Sequence, residues 1–378
     1  MAVQPIRRRI RFSLRSLLLC VLLIGGAAML YRNFAPWVLV TKISGVNAGT
    51  LSFSGDGKRL VTSTLRESRR PGEAENVDPT AQVWDVSTGE RLAVLQGHSG
   101  QVNGAQFSRD GKYILSFSVD GIARLHDGRT YQPMPLVIPF ENSFGGACLA
   151  PSGRWVATSS KNAMCRIYSV PDGKEVEAFA TPSPNAGQFN FLAFNRDETL
   201  ITGIYLFDDA QTYRCKGGER AATTPLKPSH IVGGTDGDWI YSKNETTIRI
   251  SDAATGNTLF TLNDVAAPEM AASEDYQSLL TLTRTPTDDG YEPSDVVVWD
   301  VATRAPRHTF HLARPAWNVA FVPNSEKIAI AARDEIYIHE RRRPEYWWGL
   351  AWLPEFWLTA VLAIAMVGSL RRDWREAR

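Results

Sequence analysis

The chain has 378 residues and a formal net charge of +1, which hides a strong segregation of charge along the sequence. Residues 1–36 hold six arginines and no acidic residue, and residues 341–378 hold seven arginines and four acidic residues, whereas residues 37–340 carry a net charge of −8. An acidic central region repels phosphate backbones, so this composition disfavours nucleic-acid binding.

The N-terminal region has the pattern of a membrane anchor. A basic tail, residues 1–15, precedes sixteen residues without a charge at 16–31. As a helix this segment is ~24 Å long at ~1.5 Å per residue, slightly less than the ~30 Å hydrocarbon core. Arg15 and Arg32 can make up the difference by snorkelling. We predict a transmembrane signal anchor here; the alternative is a signal peptide cleaved at the small residues 25–28.

One short phrase recurs through residues 37–340. It reads FSGDGK at 53–58, FSRDGK at 107–112, LAPSGR at 149–154 and FNRDET at 194–199, with weaker echoes around Asp236, Asp275 and Asn324. Equivalent positions lie 39 to 54 residues apart, and the mean of about 45 is the period of a four-stranded propeller blade. Each phrase stands between two apolar runs, the pattern of a hairpin. Seven phrases predict seven blades.

A second sequence motif recurs downstream of the first within several repeats. VWDVSTGE at 83–90 returns as ISDAATGN at 250–257 and VWDVATRA at 298–305, and LQGHSG at 95–100 supplies a Gly-His pair before an inner strand. Together these motifs resemble the WD40-repeat family, in a divergent, bacterial-type form, over roughly residues 37–340. The resemblance implies an all-β fold, a seven-bladed WD40-like β-propeller that fills this range.

The resemblance also implies a structural set of hydrogen-bonding residues. The set comprises His98, Ser116, Asp120 and Asp127 in blade 2, with His126 in place of the usual Trp, and the pairs Trp84–Asp85 and Trp299–Asp300 in two other blades. A serine, a histidine and an aspartate could also suggest a hydrolytic triad. Because the family uses these positions inside a blade, we expect a structural role.

The sequence predicts no catalytic residue, no cofactor and no metal site, and hence no enzyme. It contains no nucleophile elbow, phosphate-binding glycine loop or zinc spacing. His308 and His311 are three residues apart, which puts them on opposite faces of a strand. Cysteines are expected as buried free thiols; a Cys148–Cys165 bridge is the alternative, which the separation of first and third strands disfavours.

The order of strands predicts how the ring closes. Residues 37–44 form an outer strand without a blade of its own, and the last repeat has three strands near 316–321, 326–331 and 335–340 but no fourth. Pairing 37–44 with 335–340 completes blade 7 and removes two open sheet edges. Both chain ends of the propeller then leave from one face.

The C-terminal region predicts a second transmembrane helix. Residues 346–370 combine a cluster of Tyr and Trp with fifteen uncharged residues, and a basic tail follows at 371–378. Aromatic residues at one edge and arginines at the other indicate an interfacial belt outside and positive charge inside. We therefore predict cytoplasmic tails at 1–15 and 371–378 and a propeller on the periplasmic or extracytoplasmic side of a bacterial inner membrane. A buried amphipathic helix is the alternative.

Two enlarged loops, Leu65–Thr80 and Arg284–Ser294, are expected on the face away from the membrane, where function tends to reside. The candidate interaction residues are Arg69, Arg70, Glu73, Glu75, Asp288, Asp289, Glu292 and Asp295. The alternatives for these loops are neutral padding and, for the acidic group, calcium binding. We predict a membrane-anchored, non-catalytic protein–protein interaction scaffold with an unidentified protein partner. The alternatives are an exported propeller that binds or hydrolyses a small ligand at its central channel, and a ligand sensor that works with a membrane partner.

Overall fold

The computed structural model describes residues 37–46, 48–64, 80–139, 146–160, 164–181, 189–205, 210–224, 231–235, 237–243, 247–263, 265, 269–284, 293–332 and 334–341. The chain divides into one unit of Leu39–Glu340 and a second of Met1–Val38 and Arg341–Arg378. None of the described residues belongs to a helix that could cross a membrane. The two predicted membrane helices, 16–31 and 346–370, lie outside the described residues and stay predictions.

The described residues form seven four-stranded antiparallel sheets, as the repeat count predicts. Each sheet is a blade, and in blades 1 to 6 the strands follow one another in chain order from the inner to the outer edge. The first strand of the described residues is β1 (Trp37–Ser44). Blade 1 contains β2 (Ala48–Phe53), β3 (Arg59–Thr64), β4 (Ala81–Asp85) and β5 (Arg91–Leu95); blade 2 contains β6 (Val102–Phe107), β7 (Tyr113–Ser118), β8 (Ile122–Asp127) and β9 (Pro133–Pro139).

The next three blades repeat this arrangement. Blade 3 contains β10 (Ala147–Leu149), β11 (Trp155–Ser160), β12 (Met164–Ser169) and β13 (Glu175–Ala180); blade 4 contains β14 (Phe189–Phe194), β15 (Leu200–Tyr205), β16 (Ala210–Arg214) and β17 (Arg220–Thr224); blade 5 contains β18 (Ile231–Thr235), β19 (Trp239–Lys243), β20 (Thr247–Asp252) and β21 (Thr258–Asn263).

Blade 6 contains β22 (Glu269–Ala272), β23 (Ser278–Arg284), β24 (Ser294–Asp300) and β25 (Ala305–Leu312); blade 7 contains β26 (Ala316–Val322), β27 (Lys327–Ala332), β28 (Glu335–Arg341) and β1. The first strands of consecutive blades contact one another all the way round, including β26 of blade 7 with β2 of blade 1. The seven sheets therefore close into a ring.

Blade 7 is completed by the N-terminal strand, which is the closure predicted from the sequence. The strand order is β1-β28-β27-β26. Lys42 Nζ lies 2.7 Å from Glu335 Oε1, and the backbone amides of Gly45 and Val46 both donate to the carbonyl of Asp334. The end of β1 thus lies beside the start of β28, so the two strands run antiparallel.

Strand direction alternates within each blade, and this gives the ring two different faces. The turns between the first and second strands and between the third and fourth strands lie on one face, which we call the turn face. We call the opposite face the loop face. The start of β1 and the end of β28 lie on the turn face. The second strands β3 and β23 end at the loop face, at Thr64 and Arg284.

The apolar core lies between neighbouring blades, because each sheet buries one face against the next. The cluster between blades 7 and 1 shows this: Ile43 from β1 is buried with Trp84 of blade 1 and Ile336 of blade 7. Corresponding clusters fill the spaces between blades 1 and 2, 2 and 3, 3 and 4, and 5 and 6. Ring stability is therefore shared among the contacts between blades.

Candidate functional site

The most connected polar cluster of the described residues lies inside blade 2. His98 Nδ1 is 2.9 Å from Asp120 Oδ2, and His98 Nε2 is 2.9 Å from Ser116 Oγ. Ser116 Oγ is also 3.0 Å from His126 Nε2, and the backbone amide of Ser99 donates to Asp120. The loop before the blade, the second strand and the third strand are thereby tied together.

The hydrogen bonds of this cluster define its chemistry. Burial opposes ionisation of Asp120, but the hydrogen bonds from His98 and Ser99 outweigh it and lower the pKa of the carboxyl. Because Asp120 is then an acceptor, Nδ1 of His98 donates to it, and the Ser116 hydroxyl links Nε2 of His98 to Nε2 of His126. Although the order of atoms matches a hydrolytic triad, Ser116 is 0% exposed, so a substrate carbonyl has no access to its oxygen.

Tryptophan takes the position of His126 in two other blades and makes the same connection. Trp84 Nε1 donates to Thr62 Oγ1 at 3.1 Å, and Trp299 Nε1 donates to Thr281 Oγ1 at 2.8 Å. In each case a third-strand ring is hydrogen-bonded to a second-strand hydroxyl, as in the His126–Ser116 pair. Buried polar groups are costly without a partner, so these pairs stabilise the blade interior.

Asp127 has a different role from His98 and Asp120. It ends β8 at the turn face, where its Oδ1 accepts from the backbone amides of Thr130 at 2.7 Å and Arg129 at 2.9 Å. These hydrogen bonds, with that of Thr130 first, lower the pKa of Asp127. The structure therefore corrects the expectation that Asp127 joins the internal set: it closes a turn at the opposite end of the blade.

The other two predicted aspartates are also turn residues. Asp85 Oδ1 accepts from the backbone amides of Ser87 and Thr88, at 2.8 and 2.9 Å. Asp300 accepts from the amide of Thr303 at 2.8 Å. Hydrogen bonding lowers the pKa of both carboxyls, chiefly from the Ser87 side chain for Asp85 and from the Thr303 amide for Asp300.

Charged side chains from non-adjacent blades meet at the axis of the ring on the turn face. Arg109 of blade 2 has its Nη2 3.2 Å from Glu274 Oε1 of blade 6, on the far side of the ring. Arg196 of blade 4 pairs with Asp238 at 3.4 Å, donates to the carbonyl of Glu274 and lies 4.2 Å from the ring centroid of Tyr276. We call these five residues the axial cluster. They bridge the turn-face mouth of the central channel.

Comparison with known proteins supports the family. A model of the WD domain, G-beta repeat, matches residues 89–127, which include the blade 2 cluster from His98 to His126. The matched segment resembles a WD40 repeat, and the fold is a seven-bladed β-propeller.

Several proteins are similar in sequence to part of this chain. Periodic tryptophan protein 2 of Saccharomyces cerevisiae is 30% identical over 36% of the chain and 15% of its own length. Autophagy-related protein 16 of Arabidopsis thaliana is 27% identical over 27% of the chain and 21% of its length. Nuclear distribution protein PAC1 of Arthroderma otae is 36% identical over 21% of the chain and 17% of its length. The matches thus span about a fifth or less of these relatives.

Most of the predicted interaction residues of the propeller lie outside the described residues: Arg69, Arg70, Glu73, Glu75, Asp288, Asp289 and Glu292. Asp295 is described. It lies near the start of β24, and its Oδ1 is 2.7 Å from Nδ1 of His311, with both side chains largely exposed. An exposed pair of this kind contributes little to stability, and the role of Asp295 in binding stays a prediction.

Other candidate groups of the propeller are structural. Cys148 and Cys165 are free and buried, on strands separated by β11, and burial raises their pKa. His308 packs edge-on against Phe310 with ring centroids 4.5 Å apart, on the strand face opposite His311. Among the described residues, no group of three or more His, Cys, Asp or Glu side chains has a metal-binding arrangement.

The buried His126 predicts a pH dependence of propeller stability. Loss of solvation, with His98 and Arg124 nearby, lowers its pKa from 6.5 to about 4. Because the folded-state pKa lies below the unfolded one, the stability gained from neutral His126 is complete above pH ~6.5. It is lost as pH falls towards ~4, by as much as about 3 kcal/mol. Urea unfolding between pH 7.5 and 4.5 measures this loss.

The control for this prediction is His126→Gln, whose amide can still donate to Ser116 but does not titrate. We expect a shallower decline of stability with falling pH in the variant than in the unchanged protein. Some decline remains, because burial also lowers the pKa of His308 and His339. Equal slopes for the two proteins would contradict the role assigned to His126.

Proposed function

We propose that this chain is a membrane-anchored WD40 propeller that acts as a non-catalytic protein–protein interaction scaffold, with the propeller on the outer side of a bacterial cytoplasmic membrane. The closure of blade 7 carries the proposal. Antiparallel pairing of β1 with β28 brings Leu39 and Glu340 to one end of the blade, on the turn face. Anchors joined at these two points would hold the propeller by one face.

The loop face is then the face for partners. The connections between Thr64 and Ala81 and between Arg284 and Ser294 leave this face from blades 1 and 6, on either side of blade 7. Surface connections tolerate insertion and often carry binding residues. On the opposite face the axial cluster bridges the channel mouth, so that end offers less open surface at the axis.

Charge supports the outer location and the kind of partner. Arginines at both ends of the chain favour cytoplasmic tails by the positive-inside rule. The net charge of −8 over residues 37–340 favours a partner surface that is basic or mixed in charge. Exposed charges of this type act mainly on specificity and association rate and are screened by salt.

Reporter fusions test the topology. We expect a reporter that works only after export to be active when it is inserted at Gly72. We expect a reporter that works only in the cytoplasm to be active when it is fused after Arg378. Each of the two reporter types is fused at each of the two sites, which gives four fusion proteins to compare. Cytoplasmic activity at Gly72 would contradict the outer location while leaving the scaffold function open to test.

Partner recovery tests the interaction face. Neutralising Asp288, Asp289, Glu292 and Asp295 together to Asn or Gln should weaken recovery of partners from gently solubilised membranes, while Tm falls by no more than a few degrees. The reason is that the acidic loop supplies attraction to the partner and little to folding.

A matched control carries the same number of neutralised acids on the turn face. Glu90, Asp172, Glu219 and Glu326 are exposed there, and their replacement should leave partner recovery unchanged. If the loop-face variant keeps its full set of partners at low ionic strength, the binding surface lies elsewhere.

A further inference from the structure

A cleft of about 300 Å³ lies between blades 3 and 4 at the turn face. One wall comes from blade 3 and the other from blade 4. Its lining residues are Trp155, Ile167, Val176 and Glu177 on one side and Phe194, Glu198, Cys215 and Lys216 on the other. This volume is at the lower limit for ligand pockets, so the cleft suits one large side chain better than a folded element.

The corresponding space between blades 1 and 2 is occupied, and its occupant is an arginine. Arg59 begins β3, and its guanidinium carbon lies 5.2 Å from the ring centroid of Phe107 in blade 2. The same guanidinium donates to the carbonyl of Gly111 at 3.3 Å and to that of Gly128. A guanidinium thus fits between two blades at this depth, over an aromatic ring and against two turns.

Backbone hydrogen bonds establish which residues of blades 3 and 4 correspond to those of blades 1 and 2. The amide of Gly128 donates to the carbonyl of Lys112, as the amide of Cys215 donates to that of Thr199. On the same alignment Phe194 corresponds to Phe107, Glu198 to Gly111 and Trp155 to Arg59. Blades 3 and 4 therefore keep the aromatic ring and the two turns but lack the arginine.

Glu177 is an unusual residue for its place in the blade. It pairs with Ile167 of the third strand, and the residues that pair in the same way in blades 1 and 5 are the apolar Ala93 and Phe260, which pack between blades. The carboxylate of Glu177 has no hydrogen-bond or ion-pair partner within the described part of the chain. A partly buried carboxylate is stabilised by a cation with hydrogen-bond donors.

Glu198 adds a second carboxylate to the same cleft. It adopts a φ of 61°, the left-handed conformation in which the corresponding Gly111 lies, so the chain accepts a strained residue here. Its oxygens accept from the backbone amide of Ser152 and from Ser152 Oγ, the latter at 2.8 Å. A carboxylate has about four lone-pair sites, so it can still accept from a guanidinium.

We propose that this cleft binds an arginine side chain from an extended segment of a partner protein. The guanidinium would take the place that Arg59 takes between blades 1 and 2, with Glu177 and Glu198 as acceptors and Ile167 and Phe194 against its aliphatic stem. Glu198 also lies 3.9 Å from Nη2 of the exposed Arg154, so Glu177 is the carboxylate of the cleft that lacks a cationic partner among the described residues. The site lies on the face opposite the acidic loops and does not depend on them or on membrane attachment.

Fluorescence anisotropy with the full-length protein tests the site. The probes are two labelled peptides, acetyl-Gly-Leu-Arg-Leu-Gly-amide and the same peptide with citrulline, which keeps the shape of arginine without its charge. We expect the citrulline peptide to bind about fivefold more weakly, in the range of partly exposed charge pairs. Glu177→Gln should weaken binding of the arginine peptide by about threefold to fivefold and leave the citrulline peptide unchanged.

Glu90→Gln is the matched control, because it removes one exposed acid from the turn face of blade 1 and should change neither affinity. Unchanged affinity for the citrulline peptide in Glu177→Gln shows that the cleft remains folded. Equal binding of the two peptides, no binding of either, or the same loss in Glu90→Gln as in Glu177→Gln would each overturn the proposal. None of these results bears on the loop-face variant described above.

Discussion

Deletion of residues 37–44 is expected to abolish the cooperative unfolding transition of the propeller. The deletion removes β1, leaves β28 with an unpaired edge and opens the core between blades 7 and 1. Ile43 is 0% exposed, and the loss of this one side chain costs about 2–5 kcal/mol. The ladder hydrogen bonds add about 1 kcal/mol each, so the total approaches the about 5–15 kcal/mol that stabilises a typical domain.

Thermal unfolding followed by circular dichroism measures this effect. The control is deletion of residues 66–78, a longer segment that the sequence predicts as a loop, and it should change Tm little because insertions and deletions in loops are tolerated. Ile43→Ala should fall between the two. Equal thermal stability of the two deletion variants would contradict closure by the N-terminal strand.

Trp84→Ala is the point substitution for which we expect the largest loss of stability, about 3–5 kcal/mol. Trp84 is 5% exposed, packs in the cluster between blades 7 and 1, and donates to Thr62. Removal of the indole leaves a cavity at the ring closure and a buried hydroxyl without its donor. Urea unfolding gives the change in the free energy of unfolding.

Trp299→Ala is the comparison, because Trp299 makes the same hydrogen bond to Thr281 but is less buried. We expect the smaller loss there. A double-mutant cycle of Trp84→Phe with Thr62→Val isolates the hydrogen bond, which should contribute about 1 kcal/mol. If Trp299→Ala costs as much as Trp84→Ala, burial at the closure is not the source of the difference.

The sequence was informative wherever a feature recurs with the repeat. The Asp-Gly turns at Asp56 and Asp110 predict the blade count, and the surplus strand at 37–44 predicts the closure, because both follow from period and strand order. The connection of His98 with Ser116 and Asp120 follows from the family resemblance. The sequence assigned Asp127 to the internal hydrogen-bonded set because the motif specifies a residue type. It does not specify the end of the blade at which the side chain lies.

Other features depend on which side chains meet between repeats, and the period does not predict them. The axial cluster joins Arg109 to Glu274 across the ring, although no spacing in the sequence relates these two residues. The cleft depends on the absence of an arginine at Trp155 and on a carboxylate at Glu177. Aligning the repeats by strand pairing would have shown Glu177 as an acidic residue where blades 1 and 5 have the apolar Ala93 and Phe260, but the divergent third and fourth repeats conceal that alignment.

The partnership of β1 with β28 has a consequence for the timing of synthesis. β1 is the first strand of the propeller to leave the ribosome, and β28 is the last. Six blades can therefore form while the seventh still lacks its inner strands, and β1 has no ladder partner until translation is nearly complete. Such long-range pairing slows folding and exposes an open sheet edge. A cell that makes this protein therefore has to protect the unpaired strand β1 for almost the whole time of translation.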